Sequence, residues 1–297
     1  MSYGPKSAPE TQGSQTAEPA PSRAWQFAVL GTLLAWVYAS TLNSLASQWW
    51  HDANFSHGFF VPLFSTYVIW EKREQLRSVA AKPSWAGLPL LAISLLVLTV
   101  GVLGAELFLS RVSLLMVLAS LIVLFLGWSW LRQILFPVCF LLLMIPIPAI
   151  LFNQITFPLQ IFASKIASTL LPWMGVPVLR EGNVIRLPAM ALEVAEACSG
   201  IRSLLSLVTL AIIYSYLMEK RIWVRIMLAF ASIPIAVAAN SLRIVGTGLL
   251  VQYWDASKAE GFFHVFSGWL IFILSLMFLF GLHHLVLRLS PERSERA

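Results

Sequence analysis

The chain has 297 residues, of which 58% are hydrophobic and only 11% are charged. A soluble domain carries roughly 25% charged residues, so this composition excludes an ordinary soluble domain and predicts an all-α polytopic membrane protein. The net charge of +6 indicates membrane topology rather than nucleic-acid binding, because the basic residues cluster in short loops between apolar runs. We therefore expect membrane lipids, and no nucleic acid, as partners.

Composition divides the chain into three parts. Residues 1–23 are rich in Pro, Ser, Ala and Gln, which predicts a disordered cytoplasmic tail without the basic start or cleavage site of a secretory signal. Residues 24–287 form the predicted transmembrane domain. Residues 288–297 are expected to be a short basic cytoplasmic tail.

The transmembrane domain contains eight apolar runs near the length of about 20 residues that crosses a hydrocarbon core of ~30 Å. They lie near residues 24–45, 57–71, 85–105, 108–128, 133–151, 201–218, 223–250 and 264–287. The seventh run is long, so we expect it to be tilted or broken at Asn240. A ninth apolar stretch, 152–171, contains Lys165 and two prolines, which favours an interfacial or re-entrant helix.

The distribution of basic residues predicts that segment 152–171 does not cross the membrane. Three groups follow the second, sixth and eighth runs: Lys72, Arg73, Arg77 and Lys82; Lys220, Arg221 and Arg225; and Arg288, Arg293 and Arg296. Positive residues stay on the cytoplasmic side, so an even number of crossings must separate neighbouring groups. Eight spans with both termini in the cytoplasm satisfy this condition.

A short hairpin is predicted in the outer loop, about residues 172–199. Alternation of apolar and polar residues around "REGN" favours two strands, and Glu-Gly-Asn at 181–183 supplies the turn.

Four reactive or charged side chains from separate spans are predicted to meet at the outer membrane face. Cys198 opens the sixth span, Arg243 lies near the outer end of the seventh, His264 opens the eighth and His57 opens the second. An unpaired arginine in an apolar run costs several kcal/mol, so Arg243 indicates a functional or paired site.

The residues around Cys198 favour a reactive thiolate. Ser199-Gly200 is typical of a helix start, whose N–H groups and dipole stabilise a nearby anion. Arg202 lies one helical turn beyond Cys198 and adds a cation, while Glu196 opposes it unless Arg202 pairs with it. His264 can serve as acid and base, and Arg243 can stabilise an oxyanion.

Simpler interpretations remain open for several of these residues. Cys198 could be a small hydrophobic residue, His57 could lie at the membrane interface, and Arg202 could extend its side chain to water. Cys139 is expected to be buried in mid-span, and His283 and His284 are expected to reach water at the inner end of the eighth span.

These motifs resemble those of the exosortases, the bacterial members of the exosortase/archaeosortase group. The resemblance rests on "EACSGIRSL" (196–204), "ANSLRIVGTG" (239–248) and "HVFSG" (264–268), with "SHGFFVP" (56–62) as a companion. It implies that Cys198, Arg243 and His264 are catalytic. Supporting roles are expected for Arg202, Glu196, Asn240 and His57.

The resemblance further implies a cysteine protease or transpeptidase of the bacterial inner membrane, with its active site facing the periplasm. Its substrates would be exported proteins with a PEP-CTERM-like C-terminal sorting signal, cleaved through a thioester and linked to exopolysaccharide production. No cofactor or metal is implied, and the acceptor nucleophile is left open. A transporter or lipid-handling protein that binds an anion at Arg243 is the main alternative, and a structural subunit of a polysaccharide machine is another.

Overall fold

A computed structural model describes residues 24–188, 190–194, 200–254 and 262–290. The predicted tail at 1–23 and most of the predicted tail at 288–297 lie outside these residues. Within them, helices are the main element, as predicted. The helices are α1 (Ala24–Val37), α2 (Ala39–His51), α3 (Phe60–Glu71), α4 (Arg73–Ser78), α5 (Gly87–Leu103), α6 (Leu107–Phe125), α7 (Trp128–Gln133), α8 (Leu135–Phe140), α9 (Ala149–Trp173), α10 (Gly200–Met218), α11 (Ile222–Tyr253) and α12 (Phe262–Leu289), with 3₁₀ helices at Ala53–Phe59 and Leu141–Met144.

The chain is a multi-pass membrane protein, but the predicted count of eight spans is not confirmed. Among the described residues, four helical segments are long and apolar enough to cross a bilayer: Leu107–Phe125, Ile201–Met218, Ile222–Tyr253 and Phe266–Leu289. The count rises to 6 if two pairs of consecutive helices each make one span. The predicted second span shows the difference, because α3 has only 12 residues and follows a 3₁₀ helix rather than extending through 57–71.

The predicted fifth span, 133–151, does not form one straight helix. Leu135–Met144 and Ala149–Trp173 meet at 81°, the geometry of a broken span or a re-entrant loop. Pro146 and Pro148 lie at this junction, where proline removes backbone donors and disfavours helix at the preceding residue. α9 is thus the observed form of the helix predicted near 152–171.

The predicted break at Asn240 is wrong. α11 is one helix of 32 residues from Ile222 to Tyr253, and it contains Pro234 as well as Asn240. At 1.5 Å per residue it is about 48 Å long, which exceeds a ~30 Å hydrocarbon core. The alternative expectation, a tilted helix, is therefore the one that fits its length.

The predicted hairpin is present and has a third strand. β1 (Leu179–Glu181), β2 (Val184–Arg186) and β3 (Ala191–Glu193) form an antiparallel sheet in that order. Gly182 opens the two-residue turn with φ +65°, a conformation that suits glycine and the tight turns of hairpins.

The sheet packs against α9 and α11. The Ser164 hydroxyl donates to the carbonyl oxygen of Gly182 at 2.9 Å, and Asn183 donates to Gln160 at 3.3 Å. Below these bonds, buried residues of the sheet, α9 and α11 form one apolar cluster that includes Ile185, Leu171, Ile244 and Val245. The sheet therefore supports the part of α11 that carries Arg243.

A buried polar cluster joins α10, α11 and α12 at the other end of these helices. The Glu219 carboxylate is 6% exposed and accepts hydrogen bonds from the backbone N–H and the guanidinium of Arg221. His283 Nε2 lies 3.5 Å from Glu219, and His283 Nδ1 lies 2.7 Å from the Tyr214 hydroxyl. The expectation that His283 reaches water is wrong, because its side chain is buried in this cluster. His284 beside it is exposed, as expected.

Candidate active site

Arg243 is the predicted catalytic residue that the structure describes most fully. It lies in α11 and is only 7% exposed. Its Nε donates to the Ser267 hydroxyl of α12 at 3.3 Å. A buried guanidinium needs hydrogen-bond acceptors around it to offset lost hydration, and Ser267 is one of them. This hydrogen bond brings the motif "ANSLRIVGTG", which contains Arg243, into contact with the motif "HVFSG", which contains Ser267.

Gly268 provides the surface on which the Arg243 guanidinium rests. A Cβ atom at position 268 would come within 3.2 Å of Nη2 and 3.3 Å of Cζ of Arg243. Real Cβ atoms seldom make contacts this close, so the guanidinium would have to move. Glycine is needed here for close approach between a side chain and a neighbouring helix backbone.

His264 lies in α12, four residues before Gly268. Residues four apart in a helix share a face, so position 264 lies on the same face of α12 as the glycine that contacts Arg243. The side chain of His264 is outside the described part of the structure. The arrangement brings the motifs of two of the three predicted catalytic residues together.

Asn240 is buried one helical turn before Arg243 on α11. The spacing of three residues places both positions on one helix face. Ser241, also buried, donates its hydroxyl to the Val237 carbonyl, so it is satisfied within its own helix. Asn240 is thus one polar neighbour of Arg243 along α11, as is Thr247 four residues after Arg243, and the supporting role of Asn240 stays a prediction.

Cys198 and Glu196 lie outside the described residues. The helix that follows them, α10, is described from Gly200 to Met218, and because Ser199 lies outside the described residues the predicted helix start stays a prediction. Arg202 occupies the first turn of α10 and is exposed. Exposure agrees with the simpler interpretation of Arg202 as a residue that reaches water, and its effect on the thiol stays a prediction.

The burial of His57 has a local cause. Asp52 caps the 3₁₀ helix Ala53–Phe59 by accepting from the Asn54 N–H. Gly58 fits against the indole of Trp49, where any Cβ would overlap the ring. These two constraints turn His57 inward, and its Nδ1 is buried with no hydrogen-bond partner among the described residues.

His57 also lines a groove of about 670 Å³ formed by α3, α10 and α12. On α10 its lining begins at Ser206, and on α12 it includes Phe272. These residues lie about 9 Å beyond Gly200 and about 7.5 Å beyond Ser267 at 1.5 Å per helical residue. The groove thus starts one to two turns from the helix positions that carry the predicted catalytic motifs.

Two features of this site were missed from the sequence alone. Ser267 and Gly268 stand in the quoted "HVFSG" motif, but neither was assigned a role. The sequence did contain a signal for this contact: a serine-glycine pair lies about one helical turn after His264, and Arg243 lies in another apolar run that could pack against it. The expectation that Cys139 is buried in mid-span is also wrong, since its side chain is exposed on α8.

Comparison with known proteins identifies a family for the chain. The family model described as transmembrane exosortase matches residues 49–281, which include all the motifs quoted above. No curated protein and no solved structure matches the chain. The matched region covers most of the sequence, and the chain therefore belongs to the transmembrane exosortase family.

Proposed function

We propose that this exosortase is a membrane-embedded cysteine protease or transpeptidase that cleaves C-terminal PEP-CTERM-like sorting signals of exported proteins. The site would face the periplasm from the bacterial inner membrane, and the activity would accompany exopolysaccharide production and cell-surface sorting. Cys198 is the nucleophile, His264 the acid and base, and Arg243 the oxyanion stabiliser.

The proposed reaction proceeds through a thioester. The Cys198 thiolate attacks the scissile carbonyl carbon, and Arg243 stabilises the oxygen as it gains negative charge. The C–N bond then breaks, and the leaving amine takes a proton from His264. An acceptor amine or water attacks the thioester carbonyl, gives its proton to His264, and releases the thiolate. Each cycle thus restores the starting protonation state.

The observation that supports this proposal best is the contact between Arg243 and the Ser267-Gly268 pair. It holds a buried guanidinium against the helix that carries His264. A fixed donor in a site that excludes water stabilises developing charge more strongly than a mobile one in water. The contact therefore suits an oxyanion stabiliser working beside an acid/base residue.

The proposal is tested with Cys198→Ala and His264→Ala at matched membrane levels. Cys198→Ala should abolish both processing of a tailed substrate and any covalent thioester adduct. His264→Ala should abolish turnover because it removes the proton donor for the leaving amine. An unchanged rate in Cys198→Ala would contradict the proposal and favour the transporter alternative, which needs no nucleophile.

His57 is the rival for the acid/base role, since it is buried beside the groove. The two histidines are compared by measuring processing in His57→Ala and His264→Ala. If His57→Ala is inactive and His264→Ala is near normal, the acid/base assignment is wrong.

A further inference from the structure

The groove beside the candidate site follows a continuous apolar stripe on α3. Its lining on this helix includes Phe60, Leu63, Phe64 and Tyr67, which are spaced three or four residues apart. This spacing places them on one face of the helix. Phe60 and Leu63 are among the large apolar residues that stay exposed in the folded chain.

The opposite wall of the groove comes from α10 and α12. Thr209 and Ile213 of α10 and Phe272 of α12 contribute to it. Only small hydroxyl groups and the His57 ring interrupt the apolar surface. A helix with an apolar face could bury that face here, as amphipathic and transmembrane helices do in grooves between other helices.

The stripe on α3 ends in a carboxylate. Glu71 follows Tyr67 by four residues, which places it on the same face one turn further along α3. It is exposed, and it forms no ion pair with any residue in the described ranges. Tyr67 is the last residue of α3 that lines the groove, so Glu71 lies about one helical turn beyond it.

The two ends of the groove therefore differ in chemistry. One end has buried His57 and lies near the helix starts that carry the catalytic motifs. Just beyond the other end, about 16 Å along α3 from Phe60, lies the Glu71 carboxylate, which forms no ion pair within the described ranges. An apolar surface that ends in a carboxylate is complementary to an apolar helix that ends in Lys or Arg.

We propose that this groove is the docking site for the apolar helix of a substrate, and that Glu71, one turn beyond the groove, pairs with a basic residue following that helix. The proposal rests on the proposed function, and it adds the place of binding and a residue that determines specificity. Tyr67 lies against the bound helix, and Glu71 sets how deep the helix sits.

Photo-crosslinking tests the position of the bound helix. Tyr67 is replaced by p-benzoylphenylalanine in the full chain carrying Cys198→Ala, in nanodiscs. The probe is a synthetic peptide with a Leu/Ala helix of roughly 20 residues, long enough to span the bilayer, followed by arginines. Thr66 with the same replacement is the matched control, because it is exposed on another face of α3 and is not among the residues that line the groove.

Position 67 should crosslink the peptide, and position 66 should give only background. Thr209→Phe, which fills the groove, should remove the crosslink at position 67. Equal crosslinking at both positions, or crosslinks at position 67 to phospholipid alone, would overturn the proposal.

A charge exchange tests Glu71. Glu71→Lys should weaken binding of the arginine-tailed peptide about 2- to 5-fold, the range for an exposed ion pair. A peptide with a glutamate tail should regain binding to this variant. Glu74→Lys is the control, since Glu74 is exposed and already 3.9 Å from Arg73. Equal effects of the two substitutions would contradict a specific role for Glu71.

These outcomes are separate from those of the proposed function. If position 67 crosslinks the peptide but the unmutated chain forms no covalent adduct at Cys198, the proposed protease activity is contradicted and the proposed docking site is supported. If Cys198 cleaves the substrate but crosslinking is not confined to position 67, the proposed protease activity is supported and the proposed docking site is contradicted.

Discussion

The two ends of α11 hold an arginine in different ways, half-buried Arg221 at the start and buried Arg243 near the end. Beside the start of α11, Arg221 pairs with the Glu219 carboxylate and also donates to the Ser290 carbonyl at 2.8 Å. Arg243 lies 21 residues beyond Ile222, about 32 Å along the helix, and there the guanidinium rests on Gly268 and donates to the Ser267 hydroxyl.

The difference separates stability from activity. An ion pair that links several helix ends holds those ends together, and removing one partner leaves a buried charge. The contacts of Arg243 include close packing against Gly268 and a bond to the Ser267 hydroxyl, and such contacts keep the guanidinium in one direction, which is what an oxyanion stabiliser requires. We therefore expect changes at the Glu219 end to alter folding, and changes at the Arg243 end to alter rate.

The largest expected effect is that of Arg243→Lys. Lysine keeps the charge but loses the planar fork that fixes its direction, so the rate should fall by on the order of 10²–10³. Processing of a tailed substrate at matched membrane levels is the measurement. Arg225→Lys is the control, because Arg225 bonds to the Glu219 and Tyr216 carbonyls at the other end. Equal losses in both would contradict the comparison.

Glu219→Gln should mainly reduce stability. It removes the charge that pairs with Arg221, and loss of one partner of a buried pair costs about 3 kcal/mol. Thermal unfolding in nanodiscs measures the loss, and the rate per folded molecule should stay near normal. A stable variant with a large loss of rate would show that the two ends are not separable in this way.

Gly268→Ala should slow the reaction roughly tenfold, because small displacements of a positioning group cost rate steeply. The new methyl group would push on the Arg243 guanidinium, while stability changes little. Gly281→Ala on the same helix is the matched control, since a Cβ there would meet nothing within 4 Å. Equal activity of the two variants would contradict a packing role for Gly268.

The last expected effect is one of pH. Hydrogen bonds from the Arg221 side chain, helped by backbone N–H groups, lower the pKa of Glu219 from 4.5 to about 2. Because the folded-state pKa is depressed, the stabilisation is present above the unfolded value and is lost as pH falls toward 2. The stability difference between the unmutated chain and Glu219→Gln should shrink between about pH 5 and pH 2. A constant difference across this range would contradict the assignment.

The sequence predicted the class of the fold and its local signals better than its long-range packing. Hydropathy located α6, α10, α11 and α12, and Gly182 marked the hairpin turn, because these depend on neighbours in sequence. The third strand was missed because its pairing with β2 depends on a partner beyond a loop. The bend before α9 was missed because an apolar run predicts burial in lipid, and not the angle at which two helices meet.

In the candidate site, too, local features could be predicted from the sequence and features that depend on packing between helices could not. Arg243 could be singled out because a charge in an apolar run is costly wherever it packs. The burial of His283 could not be predicted, because it depends on Glu219 and Tyr214 from another helix. Ser267 and Gly268 likewise acquire their role only when α12 lies against α11.

The glycine contact also limits how α12 can turn about its own axis. Each residue of a helix advances about 100° around the axis, so a rotation by one residue would replace Gly268 with Ser267 or Trp269 beneath the guanidinium. Either residue would bring at least a Cβ atom to the place where Gly268 now approaches Arg243 to 3.2 Å. Axial rotation of α12 in either direction would therefore displace the Arg243 guanidinium, so the orientation of α12 and the position of Arg243 are coupled.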